Sequence, residues 1–336
     1  MRVVVDMQGM QTSFSAHRGV GRYTEQLVRQ LVRTAAGRHE VFLALNGSMP
    51  EGVDRVRARF AGLVPEERFV VWQQFFDTTQ CVGPSPWLVA AGEVLREAVL
   101  NRIRPDVIFA PNLQEGWFDP AVTSVRRLAT PALYCSTLHD LVPLHYEEDY
   151  LGDPAVRQWY FRKIGYAKAS DVLVTVSQAS RREIIEFLGV APEKVVVVEN
   201  GYDSALFHAV SDAPQWVTQV RQRYGVEGAF VLYVGGNDRH KNIGRLLSAF
   251  AALPEDLRHS FALVLAGREF ARDDALSSQI RTLGLEGRVL TPGFVDDEDL
   301  PVLMRACSCF VFPSTHEGFG LPALEAMACG VPVIGA

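Results

Sequence analysis

Short apolar runs of strand length alternate along the chain with stretches in which apolar residues recur every three to four positions. Runs at 3–5, 41–45, 107–109, 132–138, 172–176 and 195–198 predict β-strands, and the patterns at 23–31, 87–99 and 180–188 predict helices. A second series follows Asn200-Gly201, with strands predicted at 230–234, 261–266, 289–290 and 309–312 and helices at 243–253, 276–283 and 297–305. Strand and helix patterns in alternation predict parallel sheets covered by helices, here two Rossmann-like α/β domains. From Asn200-Gly201 to about Asp212-Ala-Pro214, turn formers stand between a finished strand and a new helix, which places the hinge there. The expected domains are 1–205 and 206–336.

Length agrees, since 336 residues exceed what one core usually supports. A net charge of −6 gives no reason to expect a nucleic-acid partner. The longest apolar runs are far below a membrane span, and residues 1–6 read as a first strand, too short for a signal-peptide core. The five cysteines are odd in number and make no metal spacing, so a reducing cytoplasm is the expected setting.

Chemistry concentrates where predicted strands run into glycine-rich turns. In Glu317-Gly-Phe-Gly-Leu-Pro-Ala-Leu-Glu325 a strand ends, Gly318 and Gly320 let backbone approach a ligand, and Pro322 fits the first turn of a helix. Unbonded N–H groups at such a helix start attract phosphate. Glu317 stands before the turn, where chemistry would occur. Glu325 falls one to two turns down the helix, where a carboxylate can hold a ribose diol. In Tyr233-Val-Gly-Gly-Asn-Asp-Arg-His-Lys-Asn242, Gly235 and Gly236 clear space for a donor, Lys241 supplies a mobile cation for a leaving diphosphate, and Arg239 is a second. The alternative for each segment alone is a helix start with solvated charges.

Three further loops are candidates. Arg18-Gly-Val-Gly-Arg-Tyr-Thr24 precedes the helix predicted at 23–31 and lacks the third glycine of a dinucleotide fingerprint. Ser136-Thr-Leu-His-Asp-Leu-Val-Pro143 puts His139 and Asp140 at a strand's carboxyl end, where open α/β sheets bind ligands. Phe109-Ala-Pro-Asn-Leu-Gln-Glu-Gly-Trp117 leaves Gln114, Glu115 and Trp117 to face an acceptor sugar. Trp72-Gln-Gln-Phe-Phe-Asp77 reads equally as acceptor surface or core. Ser180 is expected to cap the helix at 180–188, with Ser177 near the cleft.

The ordered run from Glu317 to Glu325, closing with Glu325-Ala-Met-Ala-Cys-Gly-Val-Pro-Val, resembles the signature of retaining GT-B glycosyltransferases of the glycogen-synthase-like branch, glycosyltransferase family 4 type. The resemblance implies two Rossmann-like domains facing across a cleft. It assigns Glu317 to the donor sugar, Glu325 to the ribose, and backbone around Gly318, Phe319, Gly320 and Leu321 to the diphosphate. It puts Gly19, Gly21 and Arg22 opposite the donor, where they meet the diphosphate or the acceptor, and His139-Asp140 against the donor sugar. Many members carry an arginine in the slot that Gly235 fills here, which raises Arg239 as its replacement. The run His139-Asp-Leu-Val-Pro-Leu-His-Tyr146 is similar to bacterial polysaccharide mannosyltransferases. The branch normally continues past a strand like Val331-Pro-Val-Ile-Gly-Ala336, so a second domain truncated at its C-terminus is expected.

The resemblance implies transfer of a hexose, α-mannose from GDP-mannose, to a polysaccharide or lipid-linked glycan, with His139, Lys241 and Glu317 carrying the chemistry. No metal and no cofactor are expected, because protein cations and helix starts hold the diphosphate in such enzymes. The setting implied is cytoplasmic, with peripheral contact at the inner membrane face through a lipid-linked acceptor. UDP- or dTDP-sugars, and a non-catalytic sugar-nucleotide-binding partner of a glycosyltransferase, are the alternatives.

Overall fold

The computed structural model describes residues 1–336 other than His17, Ser211, Glu269, Ala271 and Arg272. The chain divides into two compact units, Met1–Asn200 and Gly201–Ala336.

The first unit is built on seven strands: β1 Arg2–Asp6, β2 Glu40–Asn46, β3 Phe69–Trp72, β4 Val107–Ala110, β5 Leu133–Thr137, β6 Val172–Thr175 and β7 Val195–Val197. All pair in parallel, in the order β3-β2-β1-β4-β5-β6-β7. Neighbouring residues on a strand serve different cores. Val3 and Val5 of β1, Leu43 and Leu45 of β2 and Phe109 of β4 enter one cluster, and Val4, Ala44, Ile108 and Ala110 enter another. A sheet covered on both faces needs apolar residues at successive positions, which is why its strands read as unbroken runs. The principal helices are Gly19–Ala35, Pro50–Phe60, Pro86–Arg102, Pro154–Ala169 and Gln178–Leu188.

In the second unit β8 Ala229–Val234, β9 Phe261–Ala266, β10 Val289–Gly293, β11 Cys309–Phe312 and β12 Val333–Gly335 form a parallel sheet in the order β10-β9-β8-β11-β12. Phe230, Leu232 and Phe310 fill one core, and Tyr233, Leu263, Leu265 and Val311 the other. The two cores lie on opposite faces of this sheet.

Three of the differences from expectation have a visible local cause. The helix predicted at 23–31 begins at Gly19, so the glycines form its first turn. A Cβ at Gly21 would lie 2.4 Å from the Ala16 carbonyl oxygen, so only glycine lets the preceding loop fold back onto this helix start. The cap of Gln178–Leu188 is Ser177, whose hydroxyl accepts the Ser180 N–H at 3.1 Å, and Ser180 sits inside the first turn. The helix expected from 297 begins at Leu300. A turn precedes it, in which the Asp296 carbonyl accepts from Asp299 and Leu300. Among the described residues no helix is long and apolar enough to cross a membrane.

Candidate functional site

Strand order locates the crevices. In each sheet the order reverses beside the first strand of the unit, between β1 and β4 and between β8 and β11, and ligands of open α/β sheets bind outside the carboxyl ends of strands at such switch points.

In the second unit that point lies between the loop after β8 and the loop after β11, the two segments singled out by their glycines and charges. Lys241 Nζ lies 2.6 Å from Glu317 Oε1, each side chain retaining 21% exposure. The contact joins the two residues assigned to leaving group and donor sugar, a pairing that nothing in their spacing announces. Several bonds hold the loops in register. The His240 carbonyl accepts from Thr315 N at 2.8 Å and Thr315 Oγ1 at 3.1 Å. Asn242 sits in the left-handed region with φ 59° and donates from Nδ2 to the Pro313 carbonyl at 3.1 Å. Asparagine is among the few residues with a side chain that adopt this conformation at little cost. Arg239, His240 and Lys241 form one 3₁₀ turn ahead of the helix Ile243–Ala251, with His240 buried and Arg239 exposed.

Gly235 is required by close approach. A Cβ at Gly235 would stand 2.5 Å from the Tyr233 hydroxyl, which donates to the Gly236 carbonyl at 2.9 Å. The Gly235 carbonyl oxygen in turn would lie 2.0 Å from a Cβ at Gly267. An arginine at 235 does not fit this packing, and Arg239 is the cation nearest in sequence.

Gly320 caps the helix Leu321–Ala328 at φ 104°, with the Phe312 ring against it. Pro322 has no N–H, and the amides of Ala323 and Leu324 both donate to the Gly320 carbonyl. The anion-seeking donors of this turn are therefore the N–H groups of Phe319, Gly320 and Leu321, a narrower set than a generic helix start offers. Glu325 lies on the same helix and is 3% exposed. Gly318 is buried at the base of the turn.

In the first unit the candidates gather around the carboxyl ends of β1, β4 and β5. His139 Nε2 lies 3.2 Å from the Pro111 carbonyl oxygen, and its ring packs edge-on to Tyr23 at 4.6 Å between centroids. Burial pushes the His139 pKa down. A carbonyl oxygen only accepts, so the neutral ring carries its proton on Nε2 and leaves Nδ1 as its acceptor. Tyr23 belongs to the helix begun by Gly19, Gly21 and Arg22, which brings that turn to the His139 strand end. The Tyr23 hydroxyl contacts Thr137 Oγ1 at 3.2 Å, and burial lifts its pKa to about 12.

Glu115 departs from expectation. It does not face outward from its loop but is 2% exposed, accepting from Asn112 Nδ2 at 2.6 Å and Thr12 Oγ1 at 3.1 Å. Desolvation by burial, reinforced by the Asp119 carboxylate, raises its pKa to about 8. The loop after β4 has to close over the end of β1, and Glu115 ties the two together. Gln114 and Trp117 are half-buried, Trp117 packing on Trp159 at 5.6 Å. The 72–77 segment splits: Trp72 is core, Gln74 bonds the Pro120 carbonyl at 2.7 Å, and Phe75 is 93% exposed. Beneath the loops lies a pair that sequence reading missed, Arg96 with Asp6, both buried, with Nη2 to Oδ2 at 2.6 Å.

Residues 17–206 match the family profile Glycosyltransferase Family 4, and residues 218–336 match Glycosyl transferases group 1. Serotype-specific mannosyltransferase WbdA of Escherichia coli is 29% identical over the whole chain, which spans 40% of that relative. O-antigen chain mannosyltransferase B of Escherichia coli is 37% identical over 49% of the chain and 43% of its own length. Sucrose-phosphate synthase from Thermosynechococcus elongatus superposes with a TM-score of 0.68 at 20% identity, over 100% of this chain and 81% of that one. The Anabaena Alr3699/HepE complex with UDP-glucose gives 0.64 at 22%, over 100% and 80%. These likenesses fix the fold as that of GT-B glycosyltransferases. With more than half of its residues inside one family profile, the chain belongs to Glycosyltransferase Family 4.

Proposed function

We propose that the chain is a retaining glycosyltransferase that moves α-mannose from GDP-mannose onto a polysaccharide or lipid-linked glycan. The observation that carries this reading is the meeting of Lys241, Glu317 and the Phe319–Leu321 amides at the β8/β11 switch point, with Glu325 buried on the adjoining helix. A cation and outward N–H groups suit a departing diphosphate, a carboxylate at the mouth suits the sugar, and a buried carboxylate suits a ribose diol. The relatives named as mannosyltransferases support the choice of sugar, and the O-antigen chain in the name of one of them supports a glycan acceptor.

In this reading the acceptor hydroxyl attacks from the face that the diphosphate leaves, through an oxocarbenium-like state. Lys241 neutralises the leaving oxygens, with Arg239 as a further cation, and Gly19, Gly21 and Arg22 keep the roles that the family resemblance implies. His139 contributes Nδ1 as an acceptor toward a sugar hydroxyl. Gln114 and Trp117 line the acceptor side. Protein cations and amides take the role that a chelated divalent ion fills elsewhere, so EDTA should leave transfer intact. The setting proposed is cytoplasmic, peripheral to the inner membrane face through a lipid-linked acceptor.

The test is transfer from GDP-mannose to an α-mannan oligosaccharide, with the new linkage assigned by NMR. An α-linked product supports the reading. A β-linked product rejects retention, and transfer from UDP- or dTDP-sugars alone rejects the donor. Binding of donor without any transfer would favour a sugar-nucleotide-binding partner.

A further inference from the structure

Five large apolar side chains of the first unit are exposed in the segments that follow the carboxyl ends of its strands. Phe14 follows β1, Phe75 follows β3, Phe118 follows β4, Val82 ends a 3₁₀ turn ahead of the helix Pro86–Arg102, and Trp87 lies in the first turn of that helix. Phe75 is 93% exposed, Val82 and Trp87 each 68%, and Phe118 56%. Rings held this far out contribute nothing to the core, and clustered exposed apolar groups mark binding surfaces.

The loops that carry them are fastened to one another. Gln80 N donates to the Gly116 carbonyl at 3.1 Å and Cys81 N to the Trp117 carbonyl at 2.9 Å. Gln74 Nε2 and Thr78 Oγ1 reach the Pro120 carbonyl at 2.7 and 2.9 Å. Phe14 and Phe118 touch, with ring centroids 5.1 Å apart. The rim is thus preorganised and continuous with the loop of Gln114 and Trp117.

We infer that this rim is a distal track for a neutral glycan, holding sugar units of the acceptor beyond the one that receives the new residue. The inference rests on the reading of the acceptor as a glycan. Charge selects the ligand class. Between residues 73 and 95 the charged residues are Asp77 and Glu93, and Glu93 is buried. The flanking cations are engaged, Arg18 over the Phe14 ring at 4.0 Å and Arg162 on Gln80 Oε1 at 3.1 Å. An anionic lipid surface is met by clustered lysines and arginines beside apolar groups, and this segment has none. Flat rings bordered by amides and hydroxyls, here Gln73, Gln80 and Ser85, suit the apolar faces and hydroxyl edges of hexose units.

The test compares mannohexaose with mannobiose by calorimetry, on the chain and on the double variant Phe75→Ala/Trp87→Ala. Both rings are mostly in solvent, so the variant should melt as the parent does. Hexaose should bind at least about tenfold more tightly than biose, and the variant should lose roughly five- to tenfold of hexaose affinity while binding GDP-mannose unchanged. Equal binding of the two glycans, or hexaose affinity untouched by the double change, would overturn the track. So would sedimentation with phosphatidylglycerol-containing vesicles that the double variant abolishes, which would make the rim a lipid-facing surface. A chain that holds hexaose through these rings but binds no nucleotide sugar would support the track and sink the transfer reading alone.

Discussion

Glu317→Gln probes the contact that ties the two donor loops together. Glu317 occupies one donor of the Lys241 ammonium at 2.6 Å, and a diphosphate that takes this donor has to loosen the pair. Each partner keeps 21% exposure, which puts the pair between surface ion pairs, worth ~0–1 kcal/mol, and buried ones, whose disruption costs ~3–5 kcal/mol. About 1–1.5 kcal/mol is a reasonable cost for releasing the lysine. Glutamine preserves volume, removes most of that cost, and takes a negative charge away from the phosphates. Affinity for GDP should therefore rise about five- to tenfold. Turnover should move the other way, falling by roughly two orders of magnitude or more, because the carboxylate beside the developing positive sugar is gone. Calorimetry with GDP and a transfer assay at saturating GDP-mannose read the two effects separately. Weaker or unchanged GDP binding would refute the competition between Glu317 and diphosphate for Lys241.

Three other perturbations follow from the geometry. Glu325→Ala should weaken GDP-mannose binding by roughly 1.5–3 kcal/mol, because a buried diol loses its charged acceptor; equal calorimetric affinity in a folded variant would move the ribose elsewhere. Arg96→Met strands Asp6 inside the first unit and should cost about 3–5 kcal/mol in urea unfolding, with Arg96→Met/Asp6→Asn recovering much of it; a harmless single change would mean that Asp6 is solvated. Glu115 has a folded pKa of about 8 against an ordinary 4.5. Folding therefore takes up a proton between those values, and the Glu115 contribution to stability falls as pH rises through that window. Glu115→Gln should remove this slope from urea midpoints, and an identical pH profile would place the Glu115 carboxylate in water.

Most strands were legible because sheets covered on both faces demand unbroken apolar runs, and 3–5, 41–45 and 107–109 are such runs; β3, Phe69–Trp72, was not predicted. Helices Pro50–Phe60 and Pro154–Ala169 were not predicted for different reasons. The first carried a readable signal, Pro50 at its start and Val53, Val56 and Phe60 on one face. The second buries Lys163 together with Tyr160, Ile164 and Ala167, so its polar and apolar positions do not separate into faces. At the candidate site, residue types and turns were readable, but partners were not. Lys241 meets Glu317 across 76 residues and Asp6 meets Arg96 across 90, contacts made by strand order that no local spacing encodes. Glu115 shows the opposite limit: in a loop rich in polar residues, burial is decided by what closes over the loop.

The central claim is that a nucleotide sugar binds at the β8/β11 switch point of the second unit. The most direct measurement is an NMR titration of the isotope-labelled chain with GDP-mannose, following backbone amides. The account predicts saturable shifts concentrated at 235–241 and 317–325, which in Glu325→Ala need roughly ten- to a hundredfold more donor to saturate. Shifts confined to other loops, or none with GDP-, UDP-, ADP- and dTDP-sugars alike, would contradict it.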